Sequence, residues 1–146
     1  MKESDEMKQI TIKEAESFGI QNVHHLMNNG ELRFRLTRDT GSSYILTINT
    51  KQAAWQNSHI HHQKKEFYVV EKGWILLVMQ KNDKLEVMRL MEDDSALVPV
   101  NVPHNVYISE NTVLHTVKYG TKEDDWFAYP ELDERIQNID ISNWMK

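Results

Sequence analysis

Residues 59–73 of this 146-residue chain read HIHHQKKEFYVVEKG, and no other segment says as much about its structure. His59 and His61 lie two positions apart, so on a strand both imidazoles share one face and can converge on one point. Glu66 follows His61 by five positions, an odd offset that would put it on the opposite face of a straight strand. The polar residues 62–65 predict a bend that restores Glu66 to the histidine face. A carboxylate entering an apolar strand is costly to bury, and a metal ion or a hydrogen-bonded histidine would offset that cost.

The sequence on either side of this segment has the period of β-strands. Residues 32–36 alternate apolar side chains with Arg33 and Arg35, which predicts one apolar strand face and one solvated face that carries the arginines. A turn at 41–43 and a second alternating run at 44–49 complete a hairpin. Further strands are predicted at 66–70, 74–80, 85–90, 95–98, 106–108 and 113–119. Many short strands separated by turn residues indicate a sandwich or a closed barrel.

Helices are predicted only near the two ends of the chain. Thr11 and Glu14 form a capping-box pattern, which predicts a short helix over 12–18. Pro130, followed by acidic residues, predicts the start of a C-terminal helix. Residues 1–9 are polar and are expected to form a frayed tail.

The segment from His59 onward resembles the cupin superfamily. The first motif of that superfamily has the form HxH(x)4E(x)6G, and His59, His61, Glu66 and Gly73 match it at every spacing. The resemblance extends over roughly 44–119, about half of the chain.

A second cupin motif, G(x)5PxG(x)2H(x)3N, is matched in part. Pro99 and His104 occupy its proline and histidine positions, whereas Asp93 and Asn101 stand at its glycines and Ile108 at its asparagine. Asparagine is the residue that best replaces glycine in a left-handed conformation, so the turn at Asn101 is expected to survive.

The resemblance implies an all-β fold, a cupin-type double-stranded β-helix (jelly-roll barrel) with short N- and C-terminal helices. It implies a single domain over 1–146, with a barrel core at about 31–120. It also implies one divalent transition metal ion inside the barrel, with open positions for water or substrate. The implied metal ligands are His59, His61, Glu66 and His104. Imidazole and carboxylate ligands suit iron, manganese, nickel, zinc, cobalt or copper, and affinity alone does not choose among them.

Composition narrows the classes of function. Hydrophobic residues make up 40% and charged residues 27% of the chain, as in a soluble globular protein. The net charge of -5, with acids and bases interspersed, argues against nucleic-acid binding. The chain has no cysteine, which excludes disulfides and thiolate metal sites. Residues 1–8 contain no apolar run like that of a signal peptide, and no segment approaches a membrane span, so a cytoplasmic location is expected.

The remaining histidines are assigned ordinary roles. His24 and His25 are expected to be ordinary surface or packing histidines, and His62 is expected at the surface. His115 lies on an apolar strand and shares the face of two valines, which is compatible with a core or pocket position. No catalytic role is predicted for it.

Aromatic residues supply the other candidates. Tyr68 shares the face of Glu66 and is the predicted catalytic residue, a hydroxyl that contacts the substrate, with a plain core position as the alternative. Trp55 has the parity of His59 and is expected to line the pocket, whereas Trp74 is expected in the core. The aromatic residues at 126–129 are expected to pack the C-terminal segment over the barrel or over a partner.

Three functions from different classes follow from the resemblance. The first is a metal-dependent enzyme, of dioxygenase or isomerase type, that acts on a small polar metabolite. The second is a metal-free sugar-nucleotide isomerase or epimerase with a histidine base and a tyrosine acid. The third is a non-catalytic protein that binds a small molecule. Small cupins commonly dimerise, so a homodimer is expected, across which Arg33 and Arg35 could reach an anionic ligand.

Overall fold

The computed structural model describes residues 7–120 and 124–145, so most of the predicted polar tail at 1–9 lies outside the described residues. The described residues form two antiparallel sheets, two short helices and one 3₁₀ helix. The helices are α1 (Ile12–Glu16) and α2 (Pro130–Ile136), and the 3₁₀ helix is Ile141–Trp144. The strands are β1 (Ile20–Leu26), β2 (Glu31–Arg38), β3 (Ser43–Asn49), β4 (Ala54–Trp55), β5 (His59–Ile60), β6 (Lys65–Lys72), β7 (Ile75–Lys81), β8 (Lys84–Leu90), β9 (Ser95–Val98), β10 (His104–Ile108), β11 (Thr112–Tyr119) and β12 (Phe127–Ala128).

The predicted elements are confirmed to within two residues at their boundaries. The capping box at Thr11 and Glu14 is present, although α1 ends at Glu16 and is shorter than predicted. Strand β1 and the short strands β4, β5 and β12 were not predicted, because their sequences show no clear period of two. Within the described ranges, no helix has the length and apolar character needed to cross a bilayer.

The strands form two sheets that pack face to face, which confirms the all-β jelly-roll prediction. One sheet has the order β1-β2-β3-β11-β6-β9, and the other has the order β12-β5-β10-β7-β8, with β4 paired to β10. Two cross-strand pairs position the functional residues: Glu66 lies opposite Lys118, and His59 lies opposite His104. Residues far apart in the chain thereby become direct neighbours.

The main core lies between the two sheets. Val70 and Leu114 from one sheet meet Ile75, Leu77 and Ile108 from the other, and all five side chains are inaccessible to solvent. Burying side chains of this size contributes about 1.5–3 kcal/mol each. This cluster holds the sheets together and leaves the rest of the barrel interior to polar residues.

Strand β7 is apolar on both faces, and a second cluster covers its outer face. Val78 packs against Leu132 and Ile136 of α2. Trp55 lies at the edge of this cluster, with its ring 5.2 Å from that of Tyr107. The amphipathic C-terminal helix therefore buries a strand face that would otherwise be exposed.

Left-handed residues close several turns. Asn82 and Asp83, with φ of 51° and 64°, form the two-residue turn between β7 and β8. Asp93 and Asn101, at the two glycine positions of the second motif, have φ of 69° and 63°. Both residues thus keep the backbone that the glycines would provide, and the expected turn at Asn101 is confirmed.

The two faces of strand β2 are the reverse of those predicted. Glu31 is fully buried and Arg33 points into the barrel with 18% of its side chain exposed, whereas Phe34 and Leu36 are exposed on the outside. The prediction of a solvated Arg33 was wrong. Alternation shows that a strand has two unlike faces, but only the tertiary structure shows which of them meets the interior.

Candidate metal centre

Four side chains from three strands converge inside the barrel. His59 begins β5, His61 directly follows that strand, Glu66 lies on β6 and His104 begins β10. Their ligand atoms lie within 4.8 Å of one another, and none of the four residues is more than 6% exposed. The structure therefore brings together all the residues predicted as metal ligands.

The predicted bend between His61 and Glu66 is present, and Asp125 holds it in place. The Asp125 carboxylate accepts hydrogen bonds from the backbone N–H groups of His62, Gln63 and Lys64 at 2.9, 2.8 and 2.7 Å. Burial by itself raises the pKa of Asp125, but these three donors outweigh burial and lower the pKa. One buried carboxylate thus compensates for the odd spacing of the motif.

Each imidazole is oriented through the nitrogen that points away from the centre. His59 Nδ1 lies 2.9 Å from the carbonyl oxygen of Asn57, and His104 Nδ1 lies 2.9 Å from that of Val102. His61 Nδ1 bonds to the carbonyl oxygen of Asp125. A carbonyl oxygen only accepts, so each Nδ1 carries the proton and each Nε2 is left for coordination.

The three Nε2 atoms all point at one carboxylate oxygen, Glu66 Oε1. The distances are 3.0 Å from His59 and 2.9 Å from His104, and His61 is also in contact. Burial by itself raises the pKa of Glu66, but the charge of Lys118 is the largest opposing effect, and the pKa lies well below its usual value. Burial lowers the pKa of His59 and favours a neutral ring.

This donor set fits a metal cation. Neutral imidazoles with the proton on Nδ1 present lone pairs at Nε2, and Glu66 adds a negative oxygen, so four acceptors face one point. Buried acceptors without a donor are costly, and a divalent ion compensates all four at once. The arrangement can therefore bind one divalent transition metal through three nitrogens and one oxygen.

Tyr68 is hydrogen-bonded to the second oxygen of the Glu66 carboxylate. Its hydroxyl donates to Glu66 Oε2 at 2.6 Å. Burial and the Glu66 charge raise the pKa of Tyr68 well above its usual value, so the hydroxyl keeps its proton. Tyr68 orients Glu66 and contacts the cavity beside it, as predicted from strand parity.

A cavity of about 210 Å³ opens beside these residues. His59, Glu66 and Tyr68 form one part of its wall, and Arg33 and Lys118 form another. Trp126 also lines the cavity, with its ring stacked on that of His59 at a centroid distance of 5.5 Å. The candidate metal centre is thus accessible from a small polar space.

The other predicted positions have mixed outcomes. His24, His25 and His62 are exposed, as expected. Trp55 does not line this cavity, so that expectation was wrong: its strand pairs with β10 and directs the ring toward the outer cluster. His115 lies outside the barrel and bonds to Glu71 at 2.8 Å.

Four residues that line or support the candidate centre were not placed there from the sequence: Asp125, Trp126, Arg33 and Lys118. For Arg33 the sequence suggested only a contact with an anionic ligand across a dimer. Asp125 and Trp126 reach the centre from a segment some 60 positions after His61, and no local pattern marks them. Arg33 and Lys118 looked like ordinary charges of alternating strands. The one available signal was that neither residue has an apolar neighbour two positions away on the same strand face.

Replacing Asp125 by alanine tests its role in holding the bend. We expect the free energy of unfolding to fall by about 2–4 kcal/mol, because three backbone donors lose a charged acceptor. We expect metal affinity to fall about tenfold, since the bend positions His61 and Glu66. Urea unfolding and metal titration measure the two effects. Asp124→Ala, at an exposed neighbouring position, should stay within about 0.5 kcal/mol of the wild type. Equal effects of the two substitutions would contradict this role.

Comparison with known proteins supports the fold through structure alone. No protein-family model matches the chain, and no curated protein matches it significantly. The structure of KdgF from Halomonas sp. is similar, with a TM-score of 0.57, 16% sequence identity and coverage of 70% of this chain and 88% of that one. The structure of FeII HppE has a TM-score of 0.53 and 15% identity, over 68% of this chain and 56% of that one.

A variant of oxalate decarboxylase from Bacillus subtilis is also similar. Its TM-score is 0.62 and its identity 14%, and the match covers 82% of this chain but 37% of that longer one. Together with the geometry of the centre, these likenesses define the class: the chain has the cupin fold, with a four-residue candidate metal centre inside the barrel.

Proposed function

We propose that this protein is a metal-dependent enzyme of dioxygenase or isomerase type that acts on a small polar metabolite. One divalent transition metal ion is bound by His59, His61, Glu66 and His104. The observation that carries this proposal is the convergence of three backbone-oriented imidazoles on Glu66. Among the similar structures, one is described as an iron(II) form and another as a decarboxylase, which supports metal-centred or small-molecule chemistry in this fold.

The protein residues would have distinct parts in such a reaction. A bound ion supplies Lewis-acid or redox chemistry. The carbonyl bonds at Nδ1 keep the three imidazoles oriented, and Tyr68 holds a proton at its hydroxyl within reach of the cavity. Trp126 stacks on His59 and lines the cavity beside it. We propose Tyr68 as a substrate contact on this basis.

Elemental analysis of untagged protein, purified without chelator, tests the proposal. We expect about one transition metal ion per chain, and the identity of that ion would select between oxygen chemistry and Lewis-acid chemistry. Protein that contains no metal and takes up no added iron, manganese, nickel or zinc would refute it. Metal-free sugar-nucleotide chemistry or passive binding would then be favoured.

We also propose that two copies associate through the outer face of the larger sheet. One row of direct cross-strand neighbours on this face is apolar across five strands. The row comprises Leu36, Tyr44, Val117, Phe67 and Leu97, which are 36–47% exposed. Strands lie about 4.8 Å apart, so the row is about 19 Å long. A patch of this extent is typical of an interface, and a sheet face can pair with its own copy.

Leu36→Glu tests this interface. We expect the wild type to have twice the 17.2 kDa mass of the chain, and the variant to be monomeric because a charge is buried at the contact. Light scattering after size exclusion measures both masses. Met91→Glu, an equally exposed apolar residue outside the row, should leave the dimer intact. A monomeric wild type at micromolar concentration would rule the dimer out.

Two further proposals rest mainly on the sequence. We propose a cytoplasmic location, with which the absence of cysteine is compatible. We also propose that 1–146 is one domain, which the packing of both sheets and α2 into adjoining clusters supports.

A further inference from the structure

Two cations line the cavity that faces the candidate metal centre. Arg33 extends from β2 and Lys118 from β11, and both belong to the cavity wall. Arginine and lysine are seldom buried unless an anion pairs with them. What neutralises these two charges is therefore informative about the ligand.

Arg33 is only partly paired. Its Nη2 atom lies 3.3 Å from Glu31 Oε2, but that buried carboxylate also accepts from Asn29 at 2.8 Å and from Gln56 at 2.9 Å. The buried Nε of Arg33 has no hydrogen-bond partner. Arg33 thus has donor capacity that Glu31 does not use.

The side chain of Lys118 has fewer polar contacts than that of Arg33. Within the described part of the chain its side chain forms no hydrogen bond and no ion pair within 4.0 Å, although the residue lies opposite Glu66 in the sheet. Burial lowers the pKa of Lys118, Glu66 opposes this effect, and Arg33 adds to it by repulsion. Two like charges therefore share one polar cavity, and an anion placed against both would relieve their repulsion.

The charge of the cavity changes when a metal binds. Without metal, Arg33 and Lys118 are balanced by Glu31 and Glu66. A divalent ion leaves the region with an excess of two positive charges, because the three imidazole ligands are neutral. A buried excess of this size favours an anionic ligand.

We propose that the ligand of this cavity is a small organic acid whose oxyanionic group, a carboxylate or a phosphoryl group, binds to Arg33 and Lys118 beside the metal centre. This inference rests on the proposed metal binding and names the substrate class. A cavity of about 210 Å³ is smaller than the pockets of about 300–1,000 Å³ that hold drug-sized ligands, which suits an acid of a few carbon atoms. The guanidinium supplies paired donors to the oxyanion, and the ammonium supplies a point charge.

Calorimetric titration of the metal-loaded protein tests the proposal. The probes are succinate, its neutral analogue succinamide, and inorganic phosphate. We expect succinate or phosphate to bind and succinamide not to bind. Arg33→Gln and Lys118→Gln should each weaken the binding by about tenfold or more, the usual effect of losing a charge-assisted hydrogen bond. The tighter of the two anions identifies the oxyanion.

Matched control variants and metal analysis distinguish failure of the anion site from failure of metal binding. Arg38→Gln and Lys72→Gln remove exposed charges of the same kind and should leave binding unchanged. Metal content is measured on every sample after dialysis against the probe, and thermal unfolding checks that the variants are folded. Lys118→Gln removes a half-buried charge whose side chain forms no ion pair within 4.0 Å, so it should fold even if Arg33→Gln does not.

The outcomes are distinct. A metal-loaded wild type that binds neither anion, or that binds succinamide as well as succinate, overturns the anion site while metal binding stands. Anion binding that both substitutions leave intact also overturns it. A wild type that takes up no metal refutes the proposed function instead.

Discussion

Glu66→Gln is expected to lower transition-metal affinity by about two orders of magnitude. Four-ligand sites in proteins bind with roughly 10–16 kcal/mol, so one ligand of four contributes about 3 kcal/mol, which corresponds to about a hundredfold in affinity. Glutamine has nearly the same shape as glutamate but no charge, and its amide can donate to the imidazole lone pairs. The fold should therefore persist while the metal is lost. Competition with a chelator of known affinity measures the change.

Tyr68→Phe is the matched control for this result. It keeps all four ligands and removes only the hydroxyl that donates to Glu66 Oε2 at 2.6 Å. Loss of such an orienting bond reduces affinity by about 10-fold to 100-fold at most. We therefore expect Tyr68→Phe to retain more metal than Glu66→Gln. A Glu66→Gln protein with wild-type affinity would remove Glu66 from the ligand set and leave a three-histidine site.

Gly73→Ala is expected to destabilise the fold by about 3 kcal/mol or more. Gly73 has φ of 79°, a conformation that costs other residues about 1–2 kcal/mol. A Cβ atom there would lie 2.5 Å from Thr112 Oγ1 and 3.0 Å from Thr112 Cα. Thr112 is fully buried and bonded to Ser109 at 2.6 Å, so it cannot easily move. Because domains are stable by about 5–15 kcal/mol, this loss should be plain in urea unfolding.

Gly41→Ala separates backbone strain from steric overlap. Gly41 has a similar φ of 85° and lies in the turn between β2 and β3. We expect this substitution to cost about 1–2 kcal/mol, the contribution of the left-handed conformation alone. If both variants lose the same stability, the contact with Thr112 has no role, and the glycine of the first motif serves only the turn.

Gly73 and the candidate metal ligands show why the first motif could be interpreted from its spacing. The spacing of His59 and His61 follows from strand geometry, and the spacing to Gly73 follows from the length of one strand and its turn. The residues that replace the glycines and the asparagine of the second motif could also be explained. Asn101 and Asp93 keep the left-handed backbone, and buried Ile108 takes the asparagine position.

The period of two predicted where strands run but not which face is inside. Arg33 was assigned to the solvent, whereas the structure places it in the cavity and exposes Leu36. This barrel has a polar interior on one part of its wall, so the usual inference that apolar residues face inward fails there. The same reversal of the faces of strand β2 places Leu36 on the outside, where it belongs to the apolar row of the larger sheet.

Local spacing along the chain was thus sufficient for most strands and turns and for placing His59 and His61 on one face, because each depends on geometry within about one strand and its neighbours. The full set of four candidate ligands, which includes His104, followed from the resemblance to the cupin motifs. The other residues around the candidate site could be located only from the tertiary structure. Asp125, Trp126 and Lys118 reach it through pairings between distant segments, and Arg33 reaches it through the choice of strand face. Such pairings are set by the packing of two sheets and α2 as a whole, and no short stretch of residues encodes them.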